Sequence, residues 1–159
     1  AGVSNSTRGI FAGGFTSSEA TVNSMSYITL GTTGYPADFG DLTVARRYVR
    51  GSGSDTRAIF GAGNNTSNQL TDVIDYVTIA TTGNAIDFGD LPAAGRQQAG
   101  GMSSATLFVI AGGKLNNNTT TTDMQYVNIA SLGNSQDWGD QAAQAYNFSS
   151  TSSVHGGLA

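Results

Sequence analysis

The chain says nearly the same thing three times. Tyr27, Tyr76 and Tyr126 stand 49 and 50 residues apart, and the same spacing relates Asp38-Phe39-Gly40-Asp41, Asp87-Phe88-Gly89-Asp90 and Asp137-Trp138-Gly139-Asp140. Gly14, Gly63 and Gly113 follow it too. A period of this length means one supersecondary unit used three times, so the chain is a stack or ring of like modules. The repeats run over about 1–49, 50–99 and 100–148 within one domain, 1–159, with a last strand and tail over 146–159. What the copies share is architecture, and function is sought in what they do not share.

The middle copy shows the unit. Arg57 to Gly63 is a short apolar run ending in glycine, and Val73 to Ile79 is rich in β-branched and aromatic residues that suit a pleated surface. The polar loop Asn64 to Gln69 separates them. A turn carrying Gly83, matched by Gly34 and Gly133, leads to a third strand over Ala85 to Leu91, and Gln97 to Ser103 reads as a fourth. Alternation puts Ile74, Tyr76 and Thr78 on one face of the second run and Asp75, Val77 and Ile79 on the other, which suits sheets sandwiched between like sheets. No window sustains a helical period. The fold class is all-β.

Composition excludes several functions. The net charge is -4 with a single lysine, Lys114, which leaves no basic stripe for phosphates, so nucleic-acid binding is not expected. No segment has the apolar length needed to cross a bilayer, and the first residues lack the pattern of a signal peptide. With no cysteine there are no disulfides or thiolate metal sites, and the redox compartment stays open.

The repeats resemble the kelch pattern: an apolar strand ending in a glycine doublet, then Tyr, then Trp, then Arg. Gly13-Gly14 and Gly112-Gly113 supply the doublet, Gly61-Ala62-Gly63 its middle version, and Phe39, Phe88 and Trp138 the second aromatic. Arg47 and Arg96 stand for the Arg, with Tyr146 in the third copy. The wording of the repeats is also similar to Gly-rich kelch-like repeats in structural and tail-associated proteins of marine bacteriophages, as is the ending Ser153 to Leu158. This resemblance implies three four-stranded propeller blades, with Phe39, Phe88 and Trp138 buried at equivalent places between sheets. Propellers close with about four to eight blades, so three imply closure by oligomerisation. In that arrangement the chain enters near the second strand of a blade and leaves through an extra inner strand, Tyr146 to Ser153, that completes a neighbour's blade. The alternatives are a closed three-sheet β-prism and a fragment of a longer parent.

No catalytic constellation emerges. His155, the only histidine, sits in a glycine-rich tail and reads as an exposed terminal residue. The paired carboxylates of the Asp-aromatic-Gly-Asp motif recur in identical phase, as a turn or strand-end cap must and a catalytic pair need not. Calcium wants six or more oxygen ligands in a tighter cluster, so no metal or other cofactor is expected. Arg8 and Arg57 recur as braces between strands or partners of those aspartates, with Leu107 in the third copy.

The loops after the glycines differ between copies, and Asn, Thr, Arg and aromatic side chains there suit shallow sugar recognition: amides for hydroxyls, rings for C–H faces. The candidate binding residues are Phe15, Thr16, Ser17, Arg47, Asn64, Asn65, Arg96, Asn116, Asn117 and Tyr146. Solvated loops without a ligand are the bland alternative. The expectation is a non-enzymatic virion or extracellular surface protein, such as a tail-fibre or decoration module. Its expected partners are itself, other surface proteins and cell-surface glycans. A soluble oligomeric lectin is the first rival, and a propeller-scaffold glycosidase or lyase the second.

Overall fold

A computed structural model describes residues 1–92 and 95–149. Among these, twelve strands form three four-stranded antiparallel sheets, each a simple meander. The first sheet contains β1 (Gly2–Ser4), β2 (Arg8–Phe15), β3 (Thr21–Thr29) and β4 (Ala37–Asp41). The second contains β5 (Arg50–Gly53), β6 (Arg57–Gly61), β7 (Val73–Thr78) and β8 (Ile86–Asp90). The third contains β9 (Gly100–Ser103), β10 (Leu107–Ala111), β11 (Asp123–Asn128) and β12 (Gln136–Asp140).

Local chemistry explains why each copy turns where it does. In the first hairpin of each sheet a short polar side chain caps the backbone of the turn. Asn5 Oδ1 accepts from the Thr7 and Arg8 amides at 2.9 and 2.8 Å, and the hydroxyls of Ser54 and Ser104 do the same in their copies. The Asp-aromatic-Gly-Asp motif is a β-bulge. Register shifts between Met25 and Ser26, Ile74 and Asp75, and Met124 and Gln125, opposite Gly40, Gly89 and Gly139. These glycines have φ of 134°, 146° and 114°, a region closed to most side chains. Asp87 and Asp137 hold the bulge by accepting from the amides of Gly89 and Gly139 at 3.2 and 2.8 Å. Asp87 and Asp137 thus shape their turns, and Asp140 accepts from the Thr122 hydroxyl at 2.7 Å.

The sheets pack face on face in chain order. Ile10, Met25, Phe39 and Leu42 of the first meet Phe60, Val77 and Ile79 of the second, while Ile59, Ile74, Phe88 and Leu91 meet Phe108, Ile110, Val127 and Ile129 of the third. The repeated tyrosine sets its aromatic neighbour edge-on: Tyr27–Phe39, Tyr76–Phe88 and Tyr126–Trp138 have centroids 5.9, 5.8 and 5.3 Å apart. The short strands β1, β5 and β9 lie side by side at the inner edge. Glycine is required there, since a Cβ at Gly51 would come within 2.8 Å of both Val3 and Phe60.

Each sheet is also tied to the next by a recurring set of polar links. The Gly83 and Ala85 amides donate to the Phe39 and Asp41 carbonyls, and those of Gly133 and Ser135 to Phe88 and Asp90. Asn84 and Asn134 accept from the Asp41 and Asp90 amides at 3.1 and 3.0 Å. Arg8 reaches the Ile79 carbonyl at 2.9 Å across the face of Tyr27, and Arg57 the Ile129 carbonyl at 2.7 Å across Tyr76. These arginines brace successive sheets through backbone carbonyls, not through the motif aspartates. On the crossovers, Arg46 ion-pairs with Asp75 at 2.6 Å, both fully buried, and Arg96 ion-pairs with Asp123.

Four expectations need correction. The expected fourth strand of the middle copy is only Gly100–Ser103 and belongs to the third sheet, as its innermost strand. The chain enters on an innermost strand, β1, so the offset entry does not occur; Tyr146 to Ser149 forms no strand, and residues 150–153 lie outside the described residues. The sheets do not close as a prism, because the outer faces of the first and third remain open, with Phe11 52% and Trp138 49% exposed. Phe39 and Phe88 are buried, at 1% and 2%, but Trp138 is not, because among the described residues no fourth sheet lies beyond it.

Candidate functional site

The loops joining the second and third strands of every sheet lie at one end, together with the crossovers that lead to the next sheet. The second glycine of each doublet fastens them there. Gly14, Gly63 and Gly113 donate to the carbonyls of Arg46, Arg96 and Ala145 at 2.9, 2.7 and 2.8 Å. Residues just beyond these contacts pair as well: Arg47 bridges Asn64, and Gln97 bridges Lys114. Backbone pairing thus carries the loops and crossovers into one continuous polar rim.

Side chains on this rim form two related pairs. The Arg47 guanidinium lies 5.9 Å from the centroid of Phe15 and 5.5 Å from that of Tyr48, and it donates to Asn68 Oδ1. At the equivalent place one copy is reversed, with the Lys114 ammonium 4.3 Å from the ring centroid of Tyr146. Phe15, Tyr48 and Tyr146 are 55%, 37% and 46% exposed, so three rings face solvent at one end beside two half-buried cations. The expected binding residues Phe15, Arg47 and Tyr146 are therefore brought onto one rim. Tyr48, Asn68 and Lys114 belong with them. The signal for Lys114 lay in the sequence, since Phe15 to Arg47 and Lys114 to Tyr146 are the same separation with ring and cation exchanged.

Other expected residues have different roles. Arg96 is a correction: it is buried, at 4% exposure, and its guanidinium is spent on the Gly112 and Asp123 carbonyls and the Asp123 carboxylate. The matching residue of the first copy is Arg46, not Arg47, and Ala145 fills the place in the third. Asn64 is buried too, its backbone paired with Arg47. Asn65 Oδ1 accepts from the Ser67 and Gln69 amides, and Asn117 Oδ1 from the Thr119 amide at 3.1 Å, so both shape their loops. Thr16 bonds Ser18 at 2.8 Å; Ser17 and Asn116 are exposed on the rim. Among the described residues, no three His, Asp or Glu side chains gather where a metal ion would be held. His155 lies outside the described residues.

No family model matches the sequence, and no curated protein matches it. The fold does have solved counterparts. The chain is similar to the structure of YjhT, a kelch-repeat β-propeller protein, with a TM-score of 0.74 at 8% identity. The match covers 91% of this chain and 52% of that one, so this chain spans about half the length of its structural counterpart. The three sheets thus resemble the blades of a β-propeller.

Proposed function

We propose that the protein is a non-enzymatic surface module of a virion or extracellular structure, which attaches to glycans through the polar rim and is displayed together with other surface proteins. The observation that carries this reading is the paired Phe15–Arg47 and Lys114–Tyr146 arrangement, exposed at the end where the copies diverge. Aromatic rings offer flat apolar faces to sugar C–H groups, while guanidinium, ammonium and the Asn-rich loops supply donors and acceptors for hydroxyls and acidic groups. Asp87 and Asp137 are engaged in their bulges, which favours binding over turnover. The repeat wording, similar to that of phage tail-associated proteins, favours the virion.

A glycan array probed with the purified chain tests this. Binding is expected to be weak per site, about millimolar to micromolar, and strengthened by clustered display. Lys114→Ala, Tyr146→Ala and Asn116→Ala weaken it with little change in Tm, and a chelator leaves it intact. An array without hits, or binding untouched by all three substitutions, overturns the reading.

A further inference from the structure

The open faces of the first and third blades carry apolar side chains at positions that are buried wherever a neighbour exists. On the first blade Phe11 and Leu30 are 52% and 49% exposed, against 0% for their counterparts Phe60 and Ile79. They line an apolar groove with Val3 and Ile28. On the third blade Trp138 is 49% exposed, against 1% for Phe39. Water-facing surfaces gain nothing from such side chains.

The polar links between blades have also changed at these two faces, and they have changed in matched fashion. Arg46 and Arg96 each find a carboxylate on the following blade, Asp75 or Asp123. Beyond the third blade the arginine is Ala145, and on the first blade the carboxylate positions are Ser26 and Ser24. Arg8 and Arg57 each reach the carbonyl at the Ile79 or Ile129 position. The third blade has Leu107 instead, and the corresponding residue of the first blade is Leu30. Asn84 and Asn134 are replaced on the first blade by Tyr35, and the donor amides of Ala85 and Ser135 by Pro36, which has none. A third blade built to receive a neighbour of the internal kind would keep its arginines; without them a buried carboxylate of that neighbour would lose its partner. The open faces instead match each other, apolar to apolar, with neither leaving an orphaned charge.

We propose that the occupant of these faces is a second copy of this chain. The third blade of each copy docks on the first blade of the other, and the two identical junctions close one ring of six blades. The size is consistent: the stretch matched to the YjhT propeller is 52% of that chain, so a ring of that length needs about as much again. At each junction Leu107 lies beside Leu30 of the other copy, where the internal junctions place an arginine beside Ile79 or Ile129. The Gly34 amide takes the Trp138 carbonyl, as Gly83 takes that of Phe39.

Sedimentation and native mass measurement on the full chain, with charge-exchange variants, test this. The wild type is expected at twice the chain mass. Leu107→Glu and Leu30→Lys, each placing an unpaired charge in the junction, weaken association by about tenfold or more, and the double variant recovers most of it. Circular dichroism on each variant checks that the blades remain folded. A wild type that stays monomeric at about 100 µM overturns the proposal and leaves the faces to blades from another polypeptide. Open-ended polymers overturn ring closure. Failure of the double variant to recover association overturns the proposed pairing of faces.

Discussion

Arg46 and Asp75 form an ion pair 2.6 Å long with both side chains fully buried, joining the first crossover to the second blade. The guanidinium also donates to the Val73 and Phe60 carbonyls, and the Thr43 hydroxyl and amide donate to Asp75. Burial pushes the Asp75 carboxyl up from its ordinary range, while Arg46 and Thr43 pull it back. Asp75→Asn leaves a buried guanidinium without its counter-charge and is expected to cost about 3–5 kcal/mol in urea unfolding. Asp123→Asn removes the partner of Arg96, but that carboxylate is 35% exposed, so the loss is smaller. Equal losses at the two sites contradict this account.

The glycine of each bulge predicts a graded series. A Cβ on Gly40 or Gly89 would overlap the carbonyl of Gly83 or Gly133 in the next blade, whereas one on Gly139 meets nothing within 4 Å. All three sit at positive φ, so Gly139→Ala carries backbone strain alone, about 1–3 kcal/mol. Gly40→Ala and Gly89→Ala add the clash between blades and lower Tm further. Under the two-copy ring, Gly139→Ala also weakens association, because its Cβ then meets the incoming blade. Identical Tm losses across the series at a concentration where the chain is monomeric go against the packing described.

Aromatic truncation separates the buried from the open blade faces. Phe39→Ala and Phe88→Ala remove rings that are 1% and 2% exposed and are expected to cost about 3–5 kcal/mol each. Trp138→Ala removes a half-exposed ring that rests edge-on against Tyr126, so in the isolated chain it costs clearly less. Chemical denaturation of the three variants reads this directly; a Trp138→Ala loss matching that of Phe88→Ala in monomeric chain contradicts it.

The period and the alternation of Val73 to Ile79 were enough to define three four-stranded antiparallel sheets, because turn chemistry and apolar pattern agree in every copy. Strand ownership was not legible. The crossover Gln97 to Ser103 reads as one run, and only pairing divides it, with Gln97 bridging Lys114 and Gly100–Ser103 joining the third sheet. The burial of Trp138 could not be inferred from its repeat position, since burial there is supplied by the next blade. Arg96 looked like a surface cation because sequence does not reveal Asp123 beside it, and the two adjacent arginines Arg46 and Arg47 hid which one was its equivalent. The exchange of ring and cation between Phe15–Arg47 and Lys114–Tyr146 was legible in principle, but only once the loops were aligned on the glycine contacts.

The chain has one tryptophan, and it sits on an open blade face, so its emission reports ring closure directly. Trp138 fluorescence measured across a dilution series is expected to be blue-shifted at high concentration, when the second copy covers the indole. It moves to longer wavelength on dilution, while Leu107→Glu emits at the longer wavelength throughout. Emission of a water-exposed indole at every concentration, unchanged by Leu107→Glu, contradicts the two-copy propeller.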